Sequence, residues 1–317
     1  MKKYPMKLNY IAKSAIWGGS VLSSEWGKRG DGENVAETRE LSVRPGEVSV
    51  IQNGEYAGMS LEEYVHAEES AVSPDYKKDQ AFPMLVKFID AGDKLSVQVH
   101  PDDAYAARVE NDSGKTEMWH IVDAEPDATI IYGLRDGVSK EDFVRAVEQK
   151  RLGDVMYTRP VKRGETYFIP AGLVHGIGAG IIVAEIQQNS DLTYRVYDYD
   201  RRGSDGKLRE LHTQKALDVV RPYTSEEISA LQFERGSGEG VIAKSRYFSS
   251  YVKKTDTKTE LCQGETSFAS VLCLCGEGKL VFEGEEYPIS RGDSYFIPAG
   301  MGAYSAEGNM ELLFSEV

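Results

Sequence analysis

The sequence is poor in cysteine and in positive charge, and it contains no long apolar run. Its three cysteines, Cys262, Cys273 and Cys275, are close together near the C-terminus. An odd number of cysteines with no secretory leader does not suggest a disulfide framework, so we expect a reducing, cytoplasmic location. Four lysines interrupt residues 1–22, so neither a signal peptide nor a membrane span is expected there.

Basic residues are outnumbered by acidic ones, 37 to 51, which gives a formal net charge of -14. Such a chain offers no broad basic surface to neutralise a nucleic-acid backbone or an anionic membrane. Neither partner is expected. A phosphorylated small molecule would need a local basic pocket instead.

The residues that are abundant favour β-structure in a globular protein. Of the 317 residues, 41% are hydrophobic and 28% are charged, enough for one large or two ordinary domains. Short apolar runs rich in tyrosine and phenylalanine are separated by glycine, proline or aspartate, which is typical of strands and turns.

An internal repeat indicates two related domains. The segment Arg163–Gly172, RGETYFIPAG, returns 128 residues later as Arg291–Gly300, RGDSYFIPAG. In each copy Tyr-Phe-Ile predicts a strand, and Pro-Ala-Gly predicts the tight turn that ends it. The Gly-rich segment 235–240 predicts a linker, so we expect an N-terminal catalytic domain over residues 1–234 and a C-terminal domain over residues 235–317.

Further elements follow from periodicity and capping signals. Strands are predicted over residues 82–90, 95–100, 180–188 and 192–199. Short helices are predicted over residues 61–67, 139–149, 213–220 and 225–231. The fold class expected from these elements is mainly β with a few short helices.

Four polar residues of the predicted N-terminal domain suit a metal site. The pattern Gly164-x5-Pro170-x-Gly172-x2-His175 resembles the second motif of the cupin β-barrels and places His175 just after the tight turn. Gln98 and His100 are two residues apart on one predicted strand and therefore face the same way, and Glu117 precedes the next strand. Two imidazoles, a carboxylate and an amide oxygen suit a catalytic zinc ion with an open position.

The opposing interpretation is that these histidines are packed or surface residues, as a single histidine in a strand usually is. His66, His120 and His212 lack the spacing and are interpreted in that way, with His120 the nearest competitor. In the second copy of the repeat, Ala303 stands where the first has His175. We therefore expect one metal ion per chain and a degenerate C-terminal domain that packs, stabilises or caps.

Several segments resemble type I mannose-6-phosphate isomerase, in its short bacterial form, from about residue 16 to residue 217. They are Phe-Pro-x-Leu-x-Lys at 82–87, LSVQVHPDD at 95–103, GKTEMW at 114–119 and EIQQNSDLTYRVYDYDR at 185–201. The resemblance implies two tandem cupin-type jelly-roll β-barrels and a zinc-dependent enzyme that interconverts mannose 6-phosphate and fructose 6-phosphate. It implies that Gln98, His100, Glu117 and His175 are the zinc-site positions, that Arg195 is the active-site arginine, and that Lys87 and Lys115 lie near the substrate.

Moving a proton between neighbouring carbons of a sugar phosphate requires an enediolate, stabilised by a Lewis-acid metal, and a base. Arg195 could hold the phosphate or stabilise the enediolate. Lys115 could bind phosphate or, with a lowered pKa, carry protons; Lys87, Lys115 and a water on the metal all stay open as the base. The catalytic residues expected are Arg195 and Lys115.

Alternative functions are a metal-dependent cupin enzyme acting on another sugar phosphate, an iron oxygenase and a non-catalytic sugar-phosphate sensor. An oxygenase of this fold usually carries a His-x-His pair, whose first position here is Gln98. The sensor is favoured only by residues 36–42, AETRELS, where the family commonly has Gly-Glu-x-Trp-Glu-x-Ser. Gly176, where the family usually has alanine, is expected to widen the pocket. The chain is expected to be a monomer or a weak homodimer.

Overall fold

The computed structural model describes residues 1–32, 34–203, 206–231 and 240–317. The chain divides into two compact units, one made of residues 1–12, 38–87 and 233–317 and the other of residues 13–37 and 88–232. Two N-terminal segments therefore belong to the same unit as the C-terminal third of the chain. The sequence predicts instead one boundary, at residue 235, with a continuous domain on each side. That boundary stays a prediction, because residues 235–239 of the expected linker lie outside the described residues.

The described residues are mainly β, as the sequence predicts. The strands are β1 Met6–Lys7, β2 Ile11–Lys13, β3 Glu37–Leu41, β4 Val43–Arg44, β5 Glu47–Val48, β6 Met84–Ala91, β7 Val97–Val99, β8 Glu117–Ala124, β9 Thr129–Leu134, β10 Met156–Pro160, β11 Thr166–Ile169, β12 His175–Ile177, β13 Ile181–Gln188, β14 Tyr194–Tyr197, β15 Val241–Lys244, β16 Ser249–Thr255, β17 Lys258–Gln263, β18 Ala269–Phe282, β19 Glu285–Ser290, β20 Ser294–Ile297 and β21 Gly302–Glu316.

The helices are short and lie between strands. They are α1 Val21–Ser24, α2 Leu61–Ala67, α3 Asp103–Val109, α4 Lys140–Glu148, α5 Thr213–Val219 and α6 Ser225–Leu231, with single 3-10 turns at Gly54–Tyr56, Glu69–Ala71 and Leu152–Asp154. Both α2 and α4 begin with the capping box that their sequences predict, from Ser60 and Ser139. Helix α3 was not predicted from the sequence; Asp102 caps it by accepting from the Tyr105 N–H at 2.8 Å.

The second unit contains two antiparallel sheets with an apolar layer between them. One has the strand order β10-β9-β12-β7-β14, and the other includes β11-β8-β13. Trp119, Ile121 and Val183 of one sheet pack in the same buried cluster as Tyr132 and Ile177 of the other. The alternation of strand residues therefore directs the odd-numbered side chains of β8 and β13 into this interior.

The outer face of the five-stranded sheet is covered by helices. Val97 and Val99 of β7 are completely buried in a second apolar cluster, with Phe143 of α4 and Ala216 of α5. This cluster packs against the outer face of β7. The even-numbered side chain of β7 therefore faces the interior.

In the first unit, one large antiparallel sheet has the strand order β1-β20-β18-β21-β16-β15, with β17 beside β21 and β19 beside β18. The N-terminal strand β1 pairs with β20, Met6 opposite Phe296. This pairing joins residues almost 300 positions apart in the sequence, and it accounts for the grouping of residues 1–12 with the C-terminal third.

The repeat predicted from the sequence has one backbone form in both copies. β11 and β20 occupy corresponding residues, Thr166–Ile169 and Ser294–Ile297. The flanking glycines Gly164 and Gly172 have φ of 84° and 86°, and their counterparts Gly292 and Gly300 have φ of 88° and 70°. Positive φ is easily adopted only by glycine, so the sequence repeat is a repeat of local structure.

Among the described residues, none of the helices combines the length and the apolar character required of a membrane-crossing segment.

Candidate active site

Three of the predicted site residues form one row across the five-stranded sheet. Arg195 of β14 is directly opposite Gln98 of β7, and Gln98 is directly opposite His175 of β12. Side chains directly opposite each other in antiparallel strands point to the same face. His100, two residues after Gln98, lies just beyond the end of β7 and follows the same alternation.

Glu117 reaches the same place from the other sheet. It is the first residue of β8 and is opposite Gln187 of β13. Glu117 shares its face of β8 with Trp119, whose ring meets the His175 ring edge to face with 5.3 Å between ring centroids. The two sheets therefore bring Glu117 and His175 together at one end of the apolar interior.

The candidate ligand atoms form a tight, buried group. His100 Nε2 lies 3.4 Å from Glu117 Oε2, and His175 Nε2 lies 3.6 Å from Glu117 Oε1. The two Nε2 atoms are 3.1 Å apart, and Gln98 Nε2 lies 3.3 Å from His175 Nε2. His100, Glu117 and His175 expose 1% of their surface or less.

The outer nitrogen of each imidazole is occupied by the backbone. His100 Nδ1 lies 2.7 Å from the Leu192 carbonyl oxygen, and His175 Nδ1 lies 2.8 Å from the Leu173 carbonyl oxygen. A carbonyl oxygen only accepts, so each Nδ1 carries the proton and donates. Each Nε2 is then an unprotonated acceptor, and the two lone pairs face each other across 3.1 Å.

A tetrahedral zinc ion fits this arrangement. Ligand atoms about 2.0–2.1 Å from such an ion lie about 3.3 Å from each other. The two Nε2 atoms are 3.1 Å apart, and each lies 3.4 or 3.6 Å from one of the two carboxylate oxygens of Glu117, close to that value. A cation would also relieve the repulsion between the Nε2 lone pairs and satisfy Glu117 Oε1, which is buried with no hydrogen-bond donor.

Electrostatics keep the cluster in the protonation state that a metal requires. Burial, reinforced by the Lys115 cation, lowers the pKa of His100 to about 4. Burial also lowers the pKa of His175. Burial by itself would raise the pKa of Glu117, but Lys115 and the two imidazoles hold it well below its usual range. Two neutral imidazoles and one carboxylate result.

Lys115 is buried beside the cluster as a cation. Its Nζ lies 2.8 Å from Glu117 Oε2 and 3.9 Å from Glu185 Oε1. Burial would lower the pKa of Lys115, but the two carboxylates outweigh burial and raise the pKa. From the sequence alone, a lowered pKa of Lys115 was one possibility. In the structure, Glu117 and Glu185 shift this pKa in the opposite direction.

Arg195 is a partly buried cation whose guanidinium pairs with no carboxylate of the described residues. Its Nε atom is buried and has no hydrogen-bond partner. The nearby Asp198 is held by Arg201 at 2.6 Å and by Arg209 at 3.1 Å. Burial and Arg209 lower the pKa of Arg195. Such a guanidinium is suited to an anionic ligand.

The remaining residues singled out from the sequence are Lys87 and three histidines. Lys87 is buried on β6, in a segment assigned to the first unit, and its role stays a prediction. His120 faces away from Glu117 on β8 and lies 3.0 Å from Thr166 Oγ1. His66 is exposed on α2. His212 Nδ1 accepts from the Arg195 backbone N–H at 3.3 Å.

Two buried residues of β13 near the cluster were not assigned from the sequence. Glu185 is 3% exposed, accepts a hydrogen bond from Trp119 Nε1 at 3.0 Å and faces Lys115. Gln187 is fully buried opposite Glu117. Their position in the sequence could have identified them, because they are polar residues two apart at the end of the apolar strand 181–188.

Gly176 does not face this site. It follows His175 on β12 and so points to the opposite face, where an added methyl carbon would lie 3.3 Å from the Ser96 carbonyl oxygen and 3.6 Å from Ile131. The expectation of a wider pocket at Gly176 is therefore wrong.

The second copy of the repeat has no matching ligand set. Ala303 lies exposed on β21, opposite Cys262. In the part of the chain that the structure describes, His100, Glu117 and His175 form the one group of three residues with metal-ligand spacing.

Comparison with known families assigns both parts of the chain. Residues 6–128 match the profile "Phosphomannose isomerase type I, catalytic domain". Residues 239–317 match "Mannose-6-phosphate isomerase, cupin domain". The cupin-type fold expected from the resemblance is thereby confirmed.

Full-length relatives agree with the two profiles. The chain is 34% identical to the mannose-6-phosphate isomerase of Streptococcus mutans over 98% of both chains. It is 34% identical to mannose-6-phosphate isomerase ManA of Bacillus subtilis over 100% of both chains. A crystal structure of the mannose 6-phosphate isomerase from Bacillus subtilis superposes with a TM-score of 0.90 at 33% identity, covering 99% of each chain. The chain therefore belongs to the type I mannose-6-phosphate isomerase family.

Proposed function

We propose that this protein is a zinc-dependent aldose-ketose isomerase that interconverts mannose 6-phosphate and fructose 6-phosphate through an enediolate. The observation that carries the proposal is the buried His100–Glu117–His175 cluster, whose His175 shares a face of the five-stranded sheet with the unpaired guanidinium of Arg195. The names of the full-length relatives agree with the reaction.

The ligands proposed for zinc are His100, Glu117 and His175, with Gln98 as the fourth. Gln98 is held by Ser96, whose hydroxyl donates to Gln98 Oε1 at 3.1 Å, so its amide must turn to present that oxygen to the ion. A bound zinc ion supplies Lewis-acid stabilisation of the negative charge on the sugar oxygens.

Arg195 is proposed to bind the anionic substrate. It is two strands from His175, and neighbouring strands are about 4.8 Å apart, so its Cα lies roughly 10 Å from that of His175. An extended hexose phosphate spans a similar distance. A phosphate at Arg195 therefore leaves the carbonyl end of the sugar near the cluster.

Lys115 is proposed to act as a cation beside the reacting oxygens. In the aldose-to-ketose direction a base removes the proton from C2, the electron pair forms the C1–C2 double bond, and the C1 oxygen becomes negative. The O2 hydroxyl proton passes to O1, the base returns its proton to C1, and O2 becomes the ketone oxygen. The raised pKa of Lys115 suits donation of a hydrogen bond to these oxygens. Lys87 and a water on the metal are the candidates for the base.

A coupled assay tests the proposal. Mannose 6-phosphate conversion should be seen with purified protein, be lost after treatment with a chelator and return when zinc is added. In deuterated water, deuterium should enter C1 of the fructose 6-phosphate product if an enediolate exchanges its proton with solvent. Binding of mannose 6-phosphate without turnover by the zinc-loaded protein would contradict the proposal and favour a sensor.

A further inference from the structure

Gln187 is a fully buried side chain that faces the candidate active site. It is the second-last residue of β13, directly opposite Glu117, and none of its surface is exposed. Because opposed residues share a face, Gln187 points to the side of the sheet that carries Glu117. Neither the metal cluster nor the proposed phosphate contact uses it.

The two ends of the Gln187 amide differ sharply. Nε2 donates to the Gln188 carbonyl oxygen at 2.8 Å and to the Ser190 carbonyl oxygen at 2.6 Å. Turning the amide over would set Oε1 against both carbonyl oxygens, so these two contacts fix its orientation. Oε1 is then left buried with no hydrogen-bond donor.

A buried acceptor without a donor destabilises the folded protein, so its place in the structure requires a reason. Other buried side-chain atoms of this unit that have no hydrogen-bond partner include both carboxylate oxygens of Glu117 and Arg195 Nε. These three belong to the proposed site, where a ligand would satisfy them. The neighbouring Gln188 is different, since it accepts from the Thr116 N–H at 2.9 Å and donates to Asp103 at 2.9 Å.

We propose that Gln187 Oε1 accepts a hydrogen bond from a hydroxyl group of the bound sugar phosphate and so helps to select the sugar. A carbonyl oxygen attracts only a donor, and a phosphate dianion has none, so the phosphate does not bind at this end of the site. A hydroxyl meets the requirement. This proposal rests on the proposed function, because it takes a sugar phosphate to be the ligand.

The proposed hydrogen bond to Gln187 defines how the sugar phosphate is oriented in the site. Gln187 and Glu117 lie on the β8–β13 side, whereas Arg195 lies on β14 of the five-stranded sheet. A sugar whose phosphate meets Arg195 turns one hydroxyl towards β13. An acceptor that is buried and preoriented discriminates well against ligands that lack its donor, because it is then left unpaired.

The experiment measures whether the loss of the Gln187 amide and the loss of one ligand hydroxyl have additive effects on binding. The first protein variant is Gln187→Met, which keeps the length of the side chain and removes the amide. The matched control is Gln188→Met, at the next residue of β13. The ligands are a non-reacting hexitol 6-phosphate and the derivatives that each lack one hydroxyl. Their dissociation constants are measured by titration calorimetry on zinc-loaded protein.

In the wild type, removal of one particular hydroxyl should weaken binding about tenfold. In Gln187→Met the same removal should change binding less than about twofold, since the acceptor is already gone. Gln188→Met should keep the tenfold discrimination. An equal loss for the parent and every derivative in Gln187→Met would overturn the assignment and give the acceptor to a bound water.

A second variant, Gln187→Leu, also removes the amide and covers a Gln187→Met protein that does not fold. It should lose the tenfold preference for the hydroxyl, and retention of that preference in folded Gln187→Leu contradicts the proposal. Failure of the wild type to bind any hexitol phosphate would instead refute the proposed function. The two failures are therefore distinguishable.

Discussion

At the scale of single residues, the site depends on what each ring nitrogen faces. The sequence identified His100 and His175 by strand parity and by the turn before His175. It could not show that the Leu192 and Leu173 carbonyl oxygens fix both tautomers, because those contacts come from loops. The face of Gly176, in contrast, was predictable from the sequence, because adjacent residues of a strand point to opposite faces.

Two substitutions separate metal binding from substrate binding. His100→Ala removes one of three buried ligands and should reduce bound zinc to a small fraction of one per chain and abolish turnover. Arg195→Ala removes an unpaired cation and should keep zinc while lowering kcat/KM by about 100-fold or more. Elemental analysis and the isomerase assay on both proteins provide the test.

Lys140→Ala is a control for these substitutions, because Lys140 lies on α4 and its exposed Nζ donates to the Asp218 carbonyl oxygen. It should keep both zinc and activity. Full activity in a metal-free Arg195→Ala protein would contradict the assignment of both sites.

At the scale of elements, the turn between β11 and β12 positions His175. The strand and the turn were predictable because Tyr-Phe-Ile and Pro-Ala-Gly have strong local preferences. What the turn packs against was not predictable. Gly172 N donates to the His100 carbonyl oxygen at 2.9 Å and thereby links the two histidine segments.

Gly172→Ala should therefore damage the site. Its φ of 86° costs an alanine about 1–2 kcal/mol. Its methyl carbon would also lie 3.0 Å from the Val219 carbonyl oxygen. Gly164→Ala is a matched control, with φ of 84° and no atom within 4 Å of the added carbon.

Thermal unfolding and zinc content of the two variants test this argument. Both should unfold at lower temperature than the wild type, but Gly172→Ala should lose more stability and should also bind zinc more weakly. Equal effects of the two substitutions would show that backbone strain, rather than contact with the 219–221 segment, governs the turn.

At the scale of the whole molecule, the repeat predicted two related domains, and both copies have the same strand and glycine conformations. The discontinuous membership of the units could not be read from the sequence. It follows from long-range pairing, such as that of Met6 with Phe296, which local periodicity does not report. The sequence itself shows one difference between the copies, His175 against Ala303, and the absence of a metal site from the second copy stays a prediction.

Zinc should consequently bind and stabilise one unit only. All four proposed ligands belong to the unit made of residues 13–37 and 88–232, and no histidine follows His212 in the sequence. Elemental analysis should give one zinc per chain.

A ligand that binds only the folded state at 100 times its Kd adds about 2.7 kcal/mol to stability. Hydrogen exchange with and without chelator should therefore show zinc-dependent protection in β7, β8 and β12 and unchanged exchange in β16, β18 and β21. Two zinc ions per chain, or protection spread equally over both units, would mean that the second copy of the repeat has kept a metal site built from residues other than histidine.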